Sequence, residues 1–382
     1  MADERHALHS MCSYLGCFPP IVPRRIIEQV IKRRGIVLDP FCGSGTTLVE
    51  AVLSGREAVG VDLNPLAVAL ATAKMAPVTL DDVLDRLLHL ARNYRGRADL
   101  DDVPDGVRVI FHPRTLSQLA YLRAELDATD PVDRFLRGAV LGIMHGKFRK
   151  TGGSAYLSID MPNTFSMSPE YVRKFVKRHR LIQPPADAFV KIRERVRWLL
   201  RDGALPSLPR ARVLHGDATH LPDLMTRACV SYVDGIVTSP PYLGVLRYGA
   251  FNWIRLWFLG LDPTSVDRTL DNTDSLDRYL SFMASFLSSA AEVLRPGAPL
   301  ALVIGDVVEY GTHVELAERV WDELHGLAPF KLLNIHVDAF DGTTKTTRIW
   351  GEERKGRATP LDRILVLERI VPRRRTRRAT SV

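Results

Sequence analysis

Short unbroken apolar runs alternate with stretches of helical spacing at the start of this chain and again after residue 210. An apolar run bounded by glycine or proline predicts a buried strand, and a 3.6-residue period predicts a helix packed on one face. Ile36, Val37 and Leu38 predict the first strand, 46–53 the helix after it, 58–61 the second strand and 66–74 the second helix. Strand runs return at 211–214 and 235–237, followed by a helix over 277–294, a turn into a buried strand over 294–306, and strand candidates at 331–337 and 363–367. Between 76 and 209 only helical spacing recurs, over 81–95, 116–128, 131–142, 170–177 and 186–201. The pattern predicts an α/β fold with an open, mostly parallel sheet, whose ligands sit at the carboxyl ends of the strands. It divides the chain into a first sheet part (1–75), a mainly helical insert (76–209), a second sheet part (210–371) and a basic tail (372–382) whose composition predicts disorder.

Two strand ends carry candidate chemistry. After Leu38 the chain runs Asp39-Pro40-Phe41-Cys42-Gly43-Ser44-Gly45 into a helix at Thr46 and Thr47. Glycines suit a turn that needs positive φ or close approach of a ligand to the backbone. No Gly-Lys-Ser/Thr follows, which disfavours a phosphate loop, and Leu48 stands where a dinucleotide turn needs its third glycine. The second end is Thr238-Ser239-Pro240-Pro241-Tyr242 after Gly235-Ile236-Val237. Tandem prolines remove amide donors and stiffen the backbone, so their carbonyls become fixed acceptors. Acceptors beside an aromatic face suit the exocyclic amine of a planar base. Asp62, with Leu63 and Asn64, ends the second strand about twenty residues past the glycine turn, where a carboxylate can accept ribose hydroxyls. Capping the helix over 66–74 is its alternative role.

Together the two stretches resemble the S-adenosylmethionine-dependent amino-methyltransferases, which methylate exocyclic amines of nucleobases. Phe41-Cys42-Gly43-Ser44-Gly45 matches their FxGxG motif, and Ser239 to Tyr242 their (D/N/S)PP(Y/F/W) motif. The resemblance implies a Rossmann-like, seven-stranded class I methyltransferase sheet and S-adenosylmethionine as cofactor. It implies that Phe18, in a Phe-Pro-Pro lead-in to an amphipathic helix, helps hold the methionine end. It also places the cofactor adenine at Asp217 and Ala218, which follow the strand at 211–214. The serine form of the catalytic motif is commoner among enzymes acting on N4 of cytosine, the aspartate form among those acting on N6 of adenine. The expected activity is therefore N4-cytosine methylation of double-stranded DNA in a restriction-modification or phage-defence setting. N6-adenine methylation, RNA amine methylation and a catalytically silent nucleic-acid-binding module remain as rivals. Cofactor motifs, insert and catalytic motif follow the order of the alpha arrangement of these enzymes. The insert nevertheless precedes the Asp217 strand, where that arrangement places it after.

An aromatic amine is a poor nucleophile because its lone pair is delocalised into the ring. Acceptors at Ser239 and the Pro240 carbonyl would favour a pyramidal, more electron-rich nitrogen, and in-line positioning of the methyl donor would do the rest. The target base must leave the duplex to be reached.

Charge narrows the search for a partner surface. The chain has 382 residues and a net charge of +8, but removing the five tail arginines leaves +3. Local clustering matters more: over 145–180, eight cations face only Asp160 and Glu170. Lys147, Arg149, Lys150, Arg173, Lys174, Lys177 and Arg178 are the expected phosphate contacts there, with Tyr156, Asn163, Phe165 and Ser166 near bases or supporting a loop. Arg247 and, in a polar stretch over 342–360, Lys345 and Arg348 join them. Tyr248 and Asn252 are candidates for the pocket of the extruded base. Cys12, Cys17, Cys42 and Cys229 form neither a CxxC pair nor a zinc-ligand spacing, so no metal is expected. A carbon-5 cytosine enzyme would need a cysteine nucleophile, for which Cys42 and Cys229 lack the Pro-Cys context. With no span-length apolar run and a polar start, the expected location is the cytoplasm.

Overall fold

Residues 36–38 are apolar and end at Asp39, all but the first are buried, and the four form an inner strand of the sheet in a computed structural model of the chain. The structure describes residues 5–32, 34–150, 153–208, 210–241, 243, 247–270, 273, 275–309, 312–339 and 358–371. Its strands are β1 (Ile36–Asp39), β2 (Glu57–Asp62), β3 (Ala211–His215), β4 (Gly235–Thr238), β5 (Pro299–Glu309), β6 (Thr312–Val314), β7 (Phe330–Ala339) and β8 (Ala358–Arg369). Their spatial order is β3-β2-β1-β4-β5-β8-β7. Strands β1 to β5 run parallel, and β8 lies antiparallel between β5 and β7. The mostly parallel sheet agrees with what the sequence predicts. An eighth strand, β6, is a three-residue return paired to the end of β5 and lies off the main path.

Alternate residues along the strands point to opposite faces, as a period of two requires. Val37, Ala58, Val237, Ala301 and Val303 belong to one apolar cluster, and Leu38, Val59, Ile236, Leu300 and Leu302 to the other. The second face is covered by helices Leu221–Arg227, Leu276–Val293 and Leu316–Leu324. The first is covered by Ile21–Val30 and Pro65–Lys74, and then by the helices that follow residue 76.

Those later helices include Leu80–Asn93, Pro113–Glu125, Pro131–Ile143 and Ala188–Leu199. Their Leu87, Leu119, Phe135 and Ile192 share the apolar cluster of the sheet face. Contact is close at Gly138, where an added Cβ would lie 2.6 Å from both the Ala73 Cβ and the Met11 Sδ. Only the missing side chain lets helix Pro131–Ile143 approach helix Pro65–Lys74 so nearly. Most of these helices start on a side-chain cap, including Asn64, Thr79, Asp130 and Asp187. Among the described residues, no helix is long and apolar enough to cross a membrane.

Arg255, which the aromatic run around it concealed, ties the layers together. Its guanidinium is buried and donates to the carbonyls of Leu141 (3.3 Å), Ser13 (3.0 Å) and Asn163 (2.6 Å) and to Asn252 Oδ1 (2.8 Å). Three distant segments are thus pinned to helix Trp253–Leu259, which follows β4. His145 lies in the same region, fully buried against the Pro162 carbonyl at 2.6 Å, and burial pushes its pKa down to about 3. It is a neutral structural group.

Candidate active site

The two motif-bearing strand ends are neighbours. β1 pairs with β4 in parallel, Val37 opposite Gly235 and Leu38 opposite Ile236, so the glycine turn and the Ser-Pro-Pro corner leave the same edge side by side. A side-chain bond joins them: the Thr238 hydroxyl donates to Asp39 Oδ1 at 2.5 Å. Asp39 also accepts from the Phe41 N–H at 3.2 Å. Burial raises its pKa to about 6, with the Thr238 and Thr47 hydroxyls and the Phe41 amide pulling the other way.

Gly43 and Gly45 take positive φ of 50° and 84°, which a side chain would resist. An added Cβ on Gly45 would also meet the Ala71 backbone at 3.2 Å. The Cys42 N–H donates to the Val61 carbonyl (2.9 Å) and the Gly45 N–H to the Cys42 carbonyl (2.7 Å), stitching the turn to β2. Pro40, Thr46 and Thr47 are buried around it. The Phe41 ring is half-buried and meets Phe286 edge-on, centroids 5.0 Å apart.

Asp62 faces this turn from the end of β2. Its Oδ2 accepts from the Gly43 N–H and its Oδ1 from the Asn64 N–H, both at 2.8 Å. Desolvation raises its pKa to about 6, against those two amides. The helix beyond is capped by Asn64 rather than Asp62, because Asn64 Oδ1 accepts from the Leu66 N–H at 3.0 Å. On the next strand, Asp217 takes the Thr219 N–H and hydroxyl at 2.8 Å each, and Ala218 is buried behind it. The Leu63 carbonyl accepts from His215 Nε2 at 2.9 Å, which ties the β2 and β3 ends together.

At the β4 corner, Pro240 is buried and Pro241 exposed. The Ser239 hydroxyl is buried and has no hydrogen-bond partner among the described residues. A buried polar atom without a partner costs about 1–3 kcal/mol. Tyr242, Lys345 and Arg348 lie outside the described residues.

Two further groups escaped the sequence reading. Tyr14 lies over the glycine turn, its ring 3.5 Å from where a Gly43 Cβ would be, and its hydroxyl accepts from Asn64 Nδ2 at 2.9 Å. It stacks on Tyr248 at 5.7 Å between centroids, linking the lead-in to the segment after β4. Beneath the turn, the buried Lys74 donates to the Ser44 hydroxyl at 3.2 Å, and burial lowers its pKa. Neither position has a local sequence signal, since each acquires its partner only through the tertiary fold. Asn252 is buried and committed to the Tyr248 carbonyl and Arg255. Phe18 is buried in the apolar cluster below the lead-in.

Of the expected phosphate contacts, Lys147, Arg149, Lys150, Arg173, Lys174, Lys177, Arg178 and Arg247 are all exposed. Four of them sit on helix Pro169–His179, whose start is held against the segment after β4. There the Ser166 N–H donates to the Phe251 carbonyl (2.5 Å) and Trp253 Nε1 to the Met167 carbonyl (2.7 Å). Among the described residues, no cluster of histidine, cysteine and carboxylate side chains is suited to a metal.

Residues 4–73 match the family model described as DNA methylase, of the N6/N4 methyltransferase type. The chain is 31% identical over 87 residues to the type II methyltransferase M.MjaII of Methanocaldococcus jannaschii, covering 22% of this chain and 16% of that relative. It is 35% identical over 120 residues to the type II methyltransferase M.MvaI of Kocuria varians, covering 28% and 26%. It is 42% identical over 50 residues to the tRNA (guanine(10)-N2)-dimethyltransferase of M. jannaschii, covering 13% and 14%. The chain therefore spans about a quarter or less of the length of each of these relatives. Over residues 4–73, which include the glycine-turn motif, the resemblance to the DNA amino-methyltransferases is borne out.

Proposed function

We propose that this chain transfers a methyl group from S-adenosylmethionine to the exocyclic N4 amine of cytosine in double-stranded DNA. The observation that carries the reading is the buried Ser239 hydroxyl, without a partner among the described residues, at a proline-stiffened corner one strand away from a glycine turn. When bound, the cofactor supplies an electrophilic methyl on a sulfonium centre. Its residues would be Phe18, Asp39, Pro40, Phe41, Gly43, Gly45, Thr46 and Thr47 around the turn, with Asp62, Leu63 and Asn64 toward the ribose and Asp217 and Ala218 toward the adenine. The fit is chemical: the Asp62 and Asp217 carboxylates keep acceptor capacity beyond the amide and hydroxyl bonds they already make.

On the target side, Ser239 and the Pro240 carbonyl accept the N–H bonds of the amine and hold its nitrogen in line with the methyl. Pro241 stiffens the corner and Tyr242 stacks on the base. The amine's proton leaves late or after transfer, so neither a metal nor an imidazole is required. Positioning and fixed dipoles carry the rate. The type II names of the relatives fit a restriction-modification setting with a cognate restriction or defence partner. The residue that favours N4 of cytosine over N6 of adenine is Ser239, where the N6 enzymes more often carry aspartate.

A second reading, methylation of an RNA amine, is favoured by the similarity to a tRNA guanine dimethyltransferase. Incubation with labelled S-adenosylmethionine and either unmethylated genomic DNA or tRNA, followed by nucleoside digestion and mass identification, separates the readings. N4-methylcytosine is the expected product. N6-methyladenine would move the target, and label entering only RNA would overturn the DNA reading.

A further inference from the structure

Helix Pro169–His179 carries an aromatic file that the methyl-transfer chemistry does not use. Tyr171 and Phe175 stack with centroids 5.8 Å apart and planes 18° from parallel, and Phe175 meets His179 at 4.4 Å. The three rings recur every four residues and so form one stripe along the helix. Tyr171 is 52% exposed, a large apolar ring left in solvent. Lys174 and Arg178 flank the stripe and Arg173 and Lys177 stand farther round the helix, all exposed, with Arg180 following; the acid on this helix is Glu170, paired with Lys174 at 2.6 Å.

We propose that this face binds an unpaired nucleic-acid strand, the cations holding phosphates while Tyr171 and Phe175 stack on bases. The inference rests on the nucleic-acid substrate proposed above and specifies the form in which the chain grips it. Aromatic side chains stack only on bases whose faces are free, which a duplex does not offer along its length. Charge complementarity selects a polyanion. The helix also begins directly at the segment docked on Phe251 and Trp253, and Tyr248 of that segment stacks on Tyr14, whose ring lies over the glycine turn. A strand lying on it would therefore be held close to the cleft into which a base must be extruded. A membrane surface fits less well, because the apolar face such a helix would insert is already committed to the protein through Val172.

The test is fluorescence anisotropy of the full chain with a fluorescein-labelled mixed-sequence single strand and with its duplex, across a salt series. Vesicles of phosphatidylserine in phosphatidylcholine provide a third arm by co-sedimentation. Tighter binding of the single strand is expected. Y171L, and separately F175L, which keep apolar bulk but remove the ring, should each weaken single-strand binding about tenfold. Both should leave duplex affinity and the salt slope unchanged. K177A with R178A should instead flatten the slope. Unchanged single-strand affinity in both leucine variants, equal losses on strand and duplex, or binding to vesicles alone would overturn the proposal. A chain that methylates DNA without these effects loses only this inference, and one that shows them without methyl transfer loses only the proposed function.

Discussion

Ser239 and Asp39 stand on adjacent strand ends and are prepared differently. Among the described residues the Ser239 hydroxyl has no partner, whereas Asp39 already accepts from the Thr238 hydroxyl and the Phe41 amide. Replacing Pro240 with alanine restores an amide donor and loosens the acceptor array. The expected outcome is a loss of turnover on the order of 10²-fold with cofactor affinity unchanged, read by single-turnover transfer and calorimetry. Wild-type turnover would remove the corner from catalysis. Asp39 makes a separate prediction. Burial raises its pKa from 3.8 to about 6, so in this window the folded state holds a proton that the unfolded chain has released. Stability therefore falls as pH rises between about 4 and 6. The full shift corresponds to about 3 kcal/mol. Asp39→Asn keeps an acceptor for Thr238 and abolishes this titration, so its melting temperature should fall less steeply from pH 4 to 7. Asp62, raised for the same reason, leaves a residual slope. Identical slopes in variant and wild type would contradict the assignment.

The glycine turn shows how an element is fixed from two sides. Gly45 begins helix Thr46–Leu53 with φ of 84° and packs on Ala71, so Gly45→Ala combines positive-φ backbone strain with a contact at 3.2 Å. A loss of about 1–3 kcal/mol and weaker cofactor binding are expected from denaturant melts and calorimetry; equal stability would show that the turn tolerates a Cβ. Helix Trp253–Leu259 is fixed by Arg255. Arg255→Met leaves the Ser13, Leu141 and Asn163 carbonyls short of a donor and should cost about 3–5 kcal/mol. Arg255→Lys cannot reproduce four bonds from one point charge and should recover only part of it. A variant as stable as wild type would deny the tie its role. The turn was legible in the sequence because strand, glycines and helix start are contiguous. The tie was not, since three of its four acceptors are backbone carbonyls, which leave no mark on residue identity. Asn64 as the cap of its helix was missed for a related reason: Asp62 and Asn64 carry equivalent capping atoms, and only the packed turn decides which one faces the helix.

Across the whole molecule, the mostly parallel character of the sheet followed from the alternation of apolar runs with helical periods, because each parallel strand needs a crossover and each crossover left its period in the sequence. What the pattern did not give was the depth of packing between the sheet and the helices after residue 76. Gly138 against Ala73, and a shared apolar cluster, join them in one core face. Binding belongs to this scale. Reversing the charges of Lys174, Lys177 and Arg178 should weaken DNA binding and reduce the slope of log affinity against log salt by about 0.9 for each phosphate no longer neutralised. An unchanged slope would take this helix out of the interface. The central claim is that the β1 and β4 ends form one cleft shared by methyl donor and target amine. A crystal structure of the chain with S-adenosylhomocysteine tests it most directly. The account predicts the adenosine along Asp62 and Asp217 and the sulfur turned toward Ser239 and Pro240, near enough that a methyl would fall within about 3–3.5 Å of an amine held there. A ligand seated elsewhere, or a sulfur facing away from that corner, would contradict it.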